Sequence, residues 1–369
     1  MKVLSIFGTR PEAIKMAPVI RELNHNPEFK SIVAVTAQHR EMLDQVLSLF
    51  EIKPDYDLNI MKHGQSPADI TAAILYGLKN VLEEKKPDLV LVHGDTTTTF
   101  AAALAAFYAH IPCGHVEAGL RTDNKYSPFP EEINRRLTGV LADYHFAPTK
   151  TAKENLLKEN VPEARITVTG NTVIDALLET VKKDCCLEDL GLENVDWQKK
   201  ILLLTCHRRE SWGEPMQRIF FAVRKIIENH PDTEVIFPMH KNPLVRELAQ
   251  EILSNNPQIH LTEPLEYLPF CQVMNRSYLV LTDSGGMQEE APALGKPVLV
   301  LRDVTERPEA IEAGTARLVG TNEEDIISTA AILLNNSQTY QEMAKSVNPY
   351  GDGTASKKII TAIKNFYEF

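Results

Sequence analysis

Gly8-Thr9-Arg10-Pro11-Glu12, with Lys15 one turn further on, puts two cations at the start of a helix that follows an apolar run. Gly8 allows a tight turn and Pro11 suits the first helical turn, so Arg10 and Lys15 would project from a helix N-terminus, a corner suited to a diphosphate. The second and third glycines of a dinucleotide fingerprint are missing, and a plain strand-to-helix turn reads the same way. His93-Gly94-Asp95-Thr96-Thr97-Thr98-Thr99 follows the apolar residues 89–92 and offers Asp95 either as the cap of the next helix or as a carboxylate at a strand end. His115-Val116-Glu117-Ala118-Gly119-Leu120-Arg121-Thr122 repeats the arrangement, with small residues beside Glu117 that let backbone approach a ligand. Pro130-Glu131-Glu132-Ile133-Asn134-Arg135-Arg136 opens a helix with two acids in its first turn, which dipole complementation alone would explain. Carboxylates on three successive loops over one sheet nevertheless suggest general acid and base groups.

The second half carries different chemistry. Cys206-His207-Arg208-Arg209-Glu210-Ser211 sets three cationic or protonatable groups in a row after an apolar run, which favours phosphate. In Thr282-Asp283-Ser284-Gly285-Gly286-Met287-Gln288-Glu289-Glu290-Ala291-Pro292, a small glycine-rich turn at a helix start presents backbone N–H groups to an anion, and a Glu one turn on can accept from sugar hydroxyls. Arg302-Asp303-Val304-Thr305-Glu306-Arg307-Pro308-Glu309 adds further cations after the next strand.

Parallel strands must position these loops. Apolar runs at 2–7, 31–37, 88–93, 112–116 and 144–147 alternate with helical stretches such as 66–85 and 97–110. Runs at 201–206, 234–238, 258–261, 278–282 and 297–301 repeat the pattern with helices at 215–229 and 244–253. Strands apolar on both faces and separated by helices mean parallel sheets covered on both sides, so the expected fold class is α/β with two Rossmann-like, doubly wound domains facing a central cleft. Residues 166–171 read as a turn-rich connection and hinge, Pro18 as a break or kink in the first helix, and VNPYGDG at 347–353 as an interruption before a last helix at 355–367. The domains are thus expected at 1–168 and 169–353, with residues 354–369 packing back on the first.

At 369 residues the chain suits two domains, and 43% hydrophobic with 24% charged residues is a soluble globular composition without a membrane span. A net charge of −11 argues against nucleic acid but leaves room for an anionic small ligand held by local arginines. Five scattered cysteines form neither a disulfide framework nor a zinc site, so a reducing cytoplasm is expected, with no metal and no cofactor.

As a set, FGTRPEAIKMAP (7–18), HGDTTTT (93–99), HVEAGLRT (115–122), FPEEINR (129–135), TGNTVIDAL (169–177), HRRES (207–211), EYLPF (266–270), TDSGGMQEEAP (282–292), RPE (307–309) and NPYGDG (348–353) closely resemble the non-hydrolysing UDP-N-acetylglucosamine 2-epimerases, which have the GT-B fold. The resemblance spans the chain. It implies an isomerase that converts UDP-N-acetylglucosamine to UDP-N-acetylmannosamine for surface glycans, by eliminating UDP to 2-acetamidoglucal and adding it back. Asp95, Glu117 and Glu131 match the family's acid/base carboxylates, with their assignment to the two faces of C2 open, and His207 supports the departing diphosphate. Substrate contacts are implied for Arg10, Lys15, Asp95, Glu117, Arg135, His207, Leu265, Phe270, Ser284, Gly285, Gly286, Glu290 and Arg307. Leu265 stands where relatives can carry Gln and could contribute only packing or backbone. The resemblance also implies a homodimer and a second, allosteric UDP-N-acetylglucosamine site using Gln38, Glu131, Arg208 and His240.

Rival readings are a GT-B glycosyltransferase, a hydrolysing relative, a UDP-sugar sensor without turnover, and a nicotinamide-dependent epimerase. The first has no need of carboxylates at both Asp95 and Glu117, and the last lacks its glycine fingerprint.

Overall fold

The computed structural model describes residues 1–37, 40–61 and 64–367, and the chain divides into two units, Met1–Ala176 with Tyr350–Phe369, and Leu177–Pro349. Each is built on one parallel sheet. In the first unit β1 (Lys2–Phe7), β2 (Lys30–Val35), β3 (Tyr56–Asp57), β4 (Leu89–His93), β5 (Cys113–Val116), β6 (Tyr144–Ala147) and β7 (Ile166–Val168) are ordered β3-β2-β1-β4-β5-β6-β7. Leu89, Val90, Leu91 and Val92 are all fully buried, because helices cover both faces and leave no solvent side for a polar residue to take. In the second unit β8 (Lys200–Thr205), β9 (Thr233–Pro238), β10 (Ile259–Thr262), β11 (Leu279–Thr282), β12 (Val298–Val300) and β13 (Ala316–Leu318) are ordered β10-β9-β8-β11-β12-β13. Both orders reverse direction at one point, between β1 and β4 and between β8 and β11. Ligands of such sheets bind beyond the carboxyl ends of the strands at that reversal.

Three elements depart from the sequence reading. Residues 166–168 form the edge strand β7, paired with β6 through His145 and Ile166, where a turn-rich hinge is expected. Helix Arg10–His25 runs on past Pro18, which is buried against neighbours that keep the helix together despite the missing N–H. β3 and β13, of two and three residues, were not anticipated at all. The chain crosses between units at 176/177 and 349/350, displaced from 168/169 and 353/354, for a reason visible in the hydrogen bonds. Asn171 N–H donates to the Tyr350 carbonyl at 2.7 Å, and the buried Asp175 carboxylate accepts from Ala355 N–H at 3.1 Å, Ser356 N–H at 2.8 Å and Ser356 Oγ at 2.5 Å. Asp175 thereby satisfies the open N-terminus of helix Ala355–Phe366, which packs on helix Arg10–His25 and ends with Phe366 stacked on Tyr144 at 4.2 Å.

Among the described residues no helix is long and apolar enough to cross a membrane. Asp175→Ala strands two buried N–H groups and a hydroxyl, and is expected to lower the unfolding free energy by about 2–4 kcal/mol in urea titrations. Asp184→Ala, on an exposed loop, should cost less than about 0.5 kcal/mol.

Candidate active site

The first unit's site is assembled at the β1/β4 reversal. Glu12 is 2% exposed and accepts from Gly8 N–H at 3.0 Å, Thr9 N–H at 2.8 Å, Thr96 Oγ1 at 2.7 Å and Thr99 Oγ1 at 3.2 Å, so it joins the turn after β1 to the turn after β4. Burial outweighs these bonds and holds its pKa above the ordinary carboxylate value. Gly8 is required there, since a Cβ would lie 2.0 Å from Thr36 Oγ1 and 2.6 Å from Thr98 Oγ1. Arg10 is half-buried at the first position of its helix, and its side chain makes no hydrogen bond or ion pair among the described residues.

Asp95 is not the helix cap. Thr96 takes that role by accepting from Thr99 N–H at 3.2 Å, which leaves the Asp95 carboxylate for other work. Its carbonyl accepts from Asn134 Nδ2 at 3.0 Å and its carboxylate lies 3.4 Å from Arg135 Nη2. Burial raises its pKa to about 6; Arg135 opposes the rise, while the charges of Glu117 and Glu131 add to it. Glu117 follows β5 in left-handed backbone, φ 63°, a strained geometry for a residue with a side chain. Its Oε2 is ion-paired with Lys15, accepts from Asn171 Nδ2 at 2.8 Å and lies 3.7 Å from His93 Nε2. Gly119, at φ 93°, has no room for a Cβ, which would stand 2.2 Å from the Ala152 carbonyl. The adjacent acids of helix Glu131–Leu141 divide: Glu132 is fully buried and accepts from Thr122 N–H and Arg136 Nε, whereas Glu131 is half-buried and adds its charge to the field at Asp95. Beneath them lie three buried histidines held neutral by burial, His93 pushed down to about 4, His115 to about 3 and His145 to about 4.

The second unit's site is at the β8/β11 reversal. Asp283, fully buried, accepts from the N–H groups of His207 at 2.6 Å and Arg208 at 2.7 Å, and its other oxygen lies 3.2 Å from His207 Nδ1. Burial lowers the His207 pKa, Asp283 opposing and His240 and Arg208 reinforcing the shift. His240 stacks on His207 with ring centroids 5.6 Å apart. Helix Gly285–Ala293 starts after Ser284, and its first N–H groups have no intrahelical acceptor. A Cβ on Gly285 would lie 3.7 Å from Glu306 Oε2 and 3.9 Å from guanidinium atoms of both Arg208 and Arg307, so two cations and one carboxylate stand over that helix start. Arg307 is anchored by the buried Glu289, and Glu290 lies 3.3 Å from the Cβ direction of Gly286. Leu265 and Phe270 are half-buried near the start of helix Tyr267–Arg276. Gln38 lies outside the described residues, while Arg208 and His240 belong to this unit and Glu131 to the first.

Glu12, Asn171 and Asp283 were missed as site residues. Glu12 carried a signal, the acid three residues after Thr9 in a capping-box spacing; Asn171 and Asp283 carried none apart from their motifs.

Two doubly wound units of GT-B type, one with a carboxylate cluster and the other with arginines beside an open helix start, define an enzyme acting on a nucleotide-linked sugar. A family model described as UDP-N-acetylglucosamine 2-epimerase matches residues 21–364. The UDP-N-acetylglucosamine 2-epimerase of Escherichia coli K12 is 57% identical over 371 residues, covering 99% of this chain and 99% of that protein. That of Bacillus subtilis 168 is 55% identical over 372 residues, covering 100% of this chain and 96% of that one. The structure of the Neisseria meningitidis enzyme bound to UDP-GlcNAc is similar with a TM-score of 0.91 at 53% identity, covering 99% of this chain and 100% of that one. The chain belongs to the non-hydrolysing UDP-N-acetylglucosamine 2-epimerase family, and is an isomerase.

Asp95, with its pKa raised on folding, opposes stability when ionised. Its protonated form is tolerated fully below the unfolded value near 4, and the penalty grows as pH rises through about 6. Because its side chain is 31% exposed, solvent screening reduces the effect. Asp95→Asn should therefore raise the unfolding free energy by about 1 kcal/mol at pH 8 and leave it unchanged below about pH 4, read by urea unfolding at both values.

Proposed function

We propose that the first unit carries the proton transfers at C2 and the second holds UDP. The reaction is reversible epimerisation of UDP-N-acetylglucosamine to UDP-N-acetylmannosamine. C2 is not next to a carbonyl, so breaking C1–O first, with positive charge developing at C1, is what acidifies C2–H. The observation that carries the assignment is the contrast between two carboxylates on adjacent strand ends. Glu117 is paired with Lys15, whereas desolvation raises the Asp95 pKa to about 6. Groups whose environments differ in this way take opposite roles. Glu117 removes the C2 proton of the gluco epimer, UDP leaves to give 2-acetamidoglucal, and Asp95 protonates C2 on the other face as UDP adds back; the reverse reaction exchanges the roles. Glu131 supports Asp95 by repelling its charge, and Arg135 orients it.

UDP departs as an anion, so its stabilisation belongs to the helix start at Ser284–Gly286, to Arg307, and to His207 as a proton-sharing group against the diphosphate. Glu290 takes the ribose hydroxyls, Phe270 and Leu265 the uracil region, and Arg10 the negative charge of the departing diphosphate. His240 and Arg208 are the residues proposed here for a second UDP-N-acetylglucosamine site. The intact acid/base set favours turnover over sensing. The homodimer is supported by a bare apolar stripe on helix Glu131–Leu141, where Ile133, Leu137 and Val140 are exposed, Val140 by 83%. Sedimentation at micromolar concentration should give twice the mass of 41.4 kDa; a monomer there would remove that reading.

In heavy water, proton NMR should show deuterium entering C2 of both epimers, and retention of protium during turnover would exclude elimination. Asp95→Asn and Glu117→Gln should each slow epimerisation by about two to four orders of magnitude with UDP affinity little changed. From the gluco epimer, Asp95→Asn should still release UDP and 2-acetamidoglucal, whereas Glu117→Gln should not; the opposite pattern would exchange the two roles.

A further inference from the structure

We propose that Asn171 is a positioning residue for the epimerisation, its amide holding the Glu117 carboxylate while its backbone ties that carboxylate to the segment where the chain re-enters the first unit. This rests on the reading of Glu117 as the C2 base. Asn171 is 3% exposed and lies between β7 and helix Thr172–Thr180. Its Oδ1 accepts from Val173 N–H at 3.1 Å, its N–H donates to the Tyr350 carbonyl at 2.7 Å, and its own carbonyl accepts from Ile174 N–H at 3.1 Å. These contacts decide the orientation of the amide. Oδ1 must face Val173 N–H, so the NH2 group is left facing Glu117 Oε2, 2.8 Å away.

The backbones on either side are in contact. A Cβ on Gly170, at φ 89°, would lie 3.1 Å from the Tyr350 carbonyl, and one on Gly351, at φ 120°, would lie 3.3 Å from Gly170 Cα. The Asn171 backbone therefore has no freedom to shift independently of the re-entry segment, and Glu117 Oε2 is located by two anchors, Lys15 from helix Arg10–His25 and Asn171. Lys15, His93 and Asp95 are charged or titratable groups that face Glu117. Asn171 differs from all three in being a donor that does not titrate. It can fix the direction of the carboxylate without competing for the proton that the carboxylate must take and give back.

Two variants test this. Asn171→Ala frees the carboxylate to rotate and should lower kcat about ten- to a hundredfold while KM changes less than about threefold, because orientation at the reacting carbon is lost and UDP contacts are not. Losing a donor to a carboxylate favours its protonated form, so the acid limb of the kcat profile should move to higher pH. Asn171→Asp keeps the acceptor for Val173 N–H, and with it the fold, but sets a second carboxylate against Glu117; its acid limb should move further, by about 1–2 pH units. A wild-type acid limb in both variants would overturn the proposal, whether kcat is unchanged or falls only in proportion to folded protein. Glu117→Gln measured in parallel separates the two readings. Near-native turnover there removes the base assignment and this proposal together, whereas an inactive Glu117→Gln beside an unshifted Asn171→Asp removes only the role of Asn171.

Discussion

The joint on which the first unit's chemistry depends is the carboxylate of Glu12, which does not react. A buried carboxylate without donors would be prohibitively costly, and each turn N–H without an acceptor would cost about a further 1–3 kcal/mol, the usual desolvation penalty. Glu12 resolves both by collecting donors from the turns after β1 and β4. Those turns carry Arg10 and Asp95 as immediate neighbours of the bonded residues. The spacing between Arg10 and Asp95 is therefore fixed by bonds to their neighbours, and neither side chain is tied up by them.

The second unit uses the same device with other residues. Asp283 gathers the N–H groups of His207 and Arg208 at the end of β8 while sitting at the end of β11, so it too joins the two loops of a sheet reversal. In both units a buried acid sets the backbone of two loops, and the side chains proposed for the substrate stand beside it. The difference lies in what is left over: carboxylates in the first, guanidinium groups and a bare helix start in the second.

Strands buried on both faces were legible because continuous apolar runs have no other stable home, and the loops after β1, β4, β5, β8 and β11 were legible from the polar, glycine-rich or charged motifs that end those runs. What escaped was decided by partners distant in sequence. β7 is three residues long and stands only because β6 offers it a ladder; Pro18 sits within a helix because packing holds its neighbours. Adjacent residues also traded roles. Thr96 rather than Asp95 caps the helix, and Glu132 rather than Glu131 turns inward, since one step along a helix swings a side chain by about 100° and only the surrounding packing says which direction is the core. Asn171 looked like a turn residue and became part of the site through Glu117, more than fifty positions earlier in the chain.

Because Asp175 holds the start of helix Ala355–Phe366, the second unit is an insertion within the first. This fixes an order of events at the ribosome. The sheet of β8–β13 has all its strands before the last helix has been made, so the inserted unit can close while its host is still incomplete. Until residues 350–367 emerge, the face of helix Arg10–His25 that they cover stays open to water.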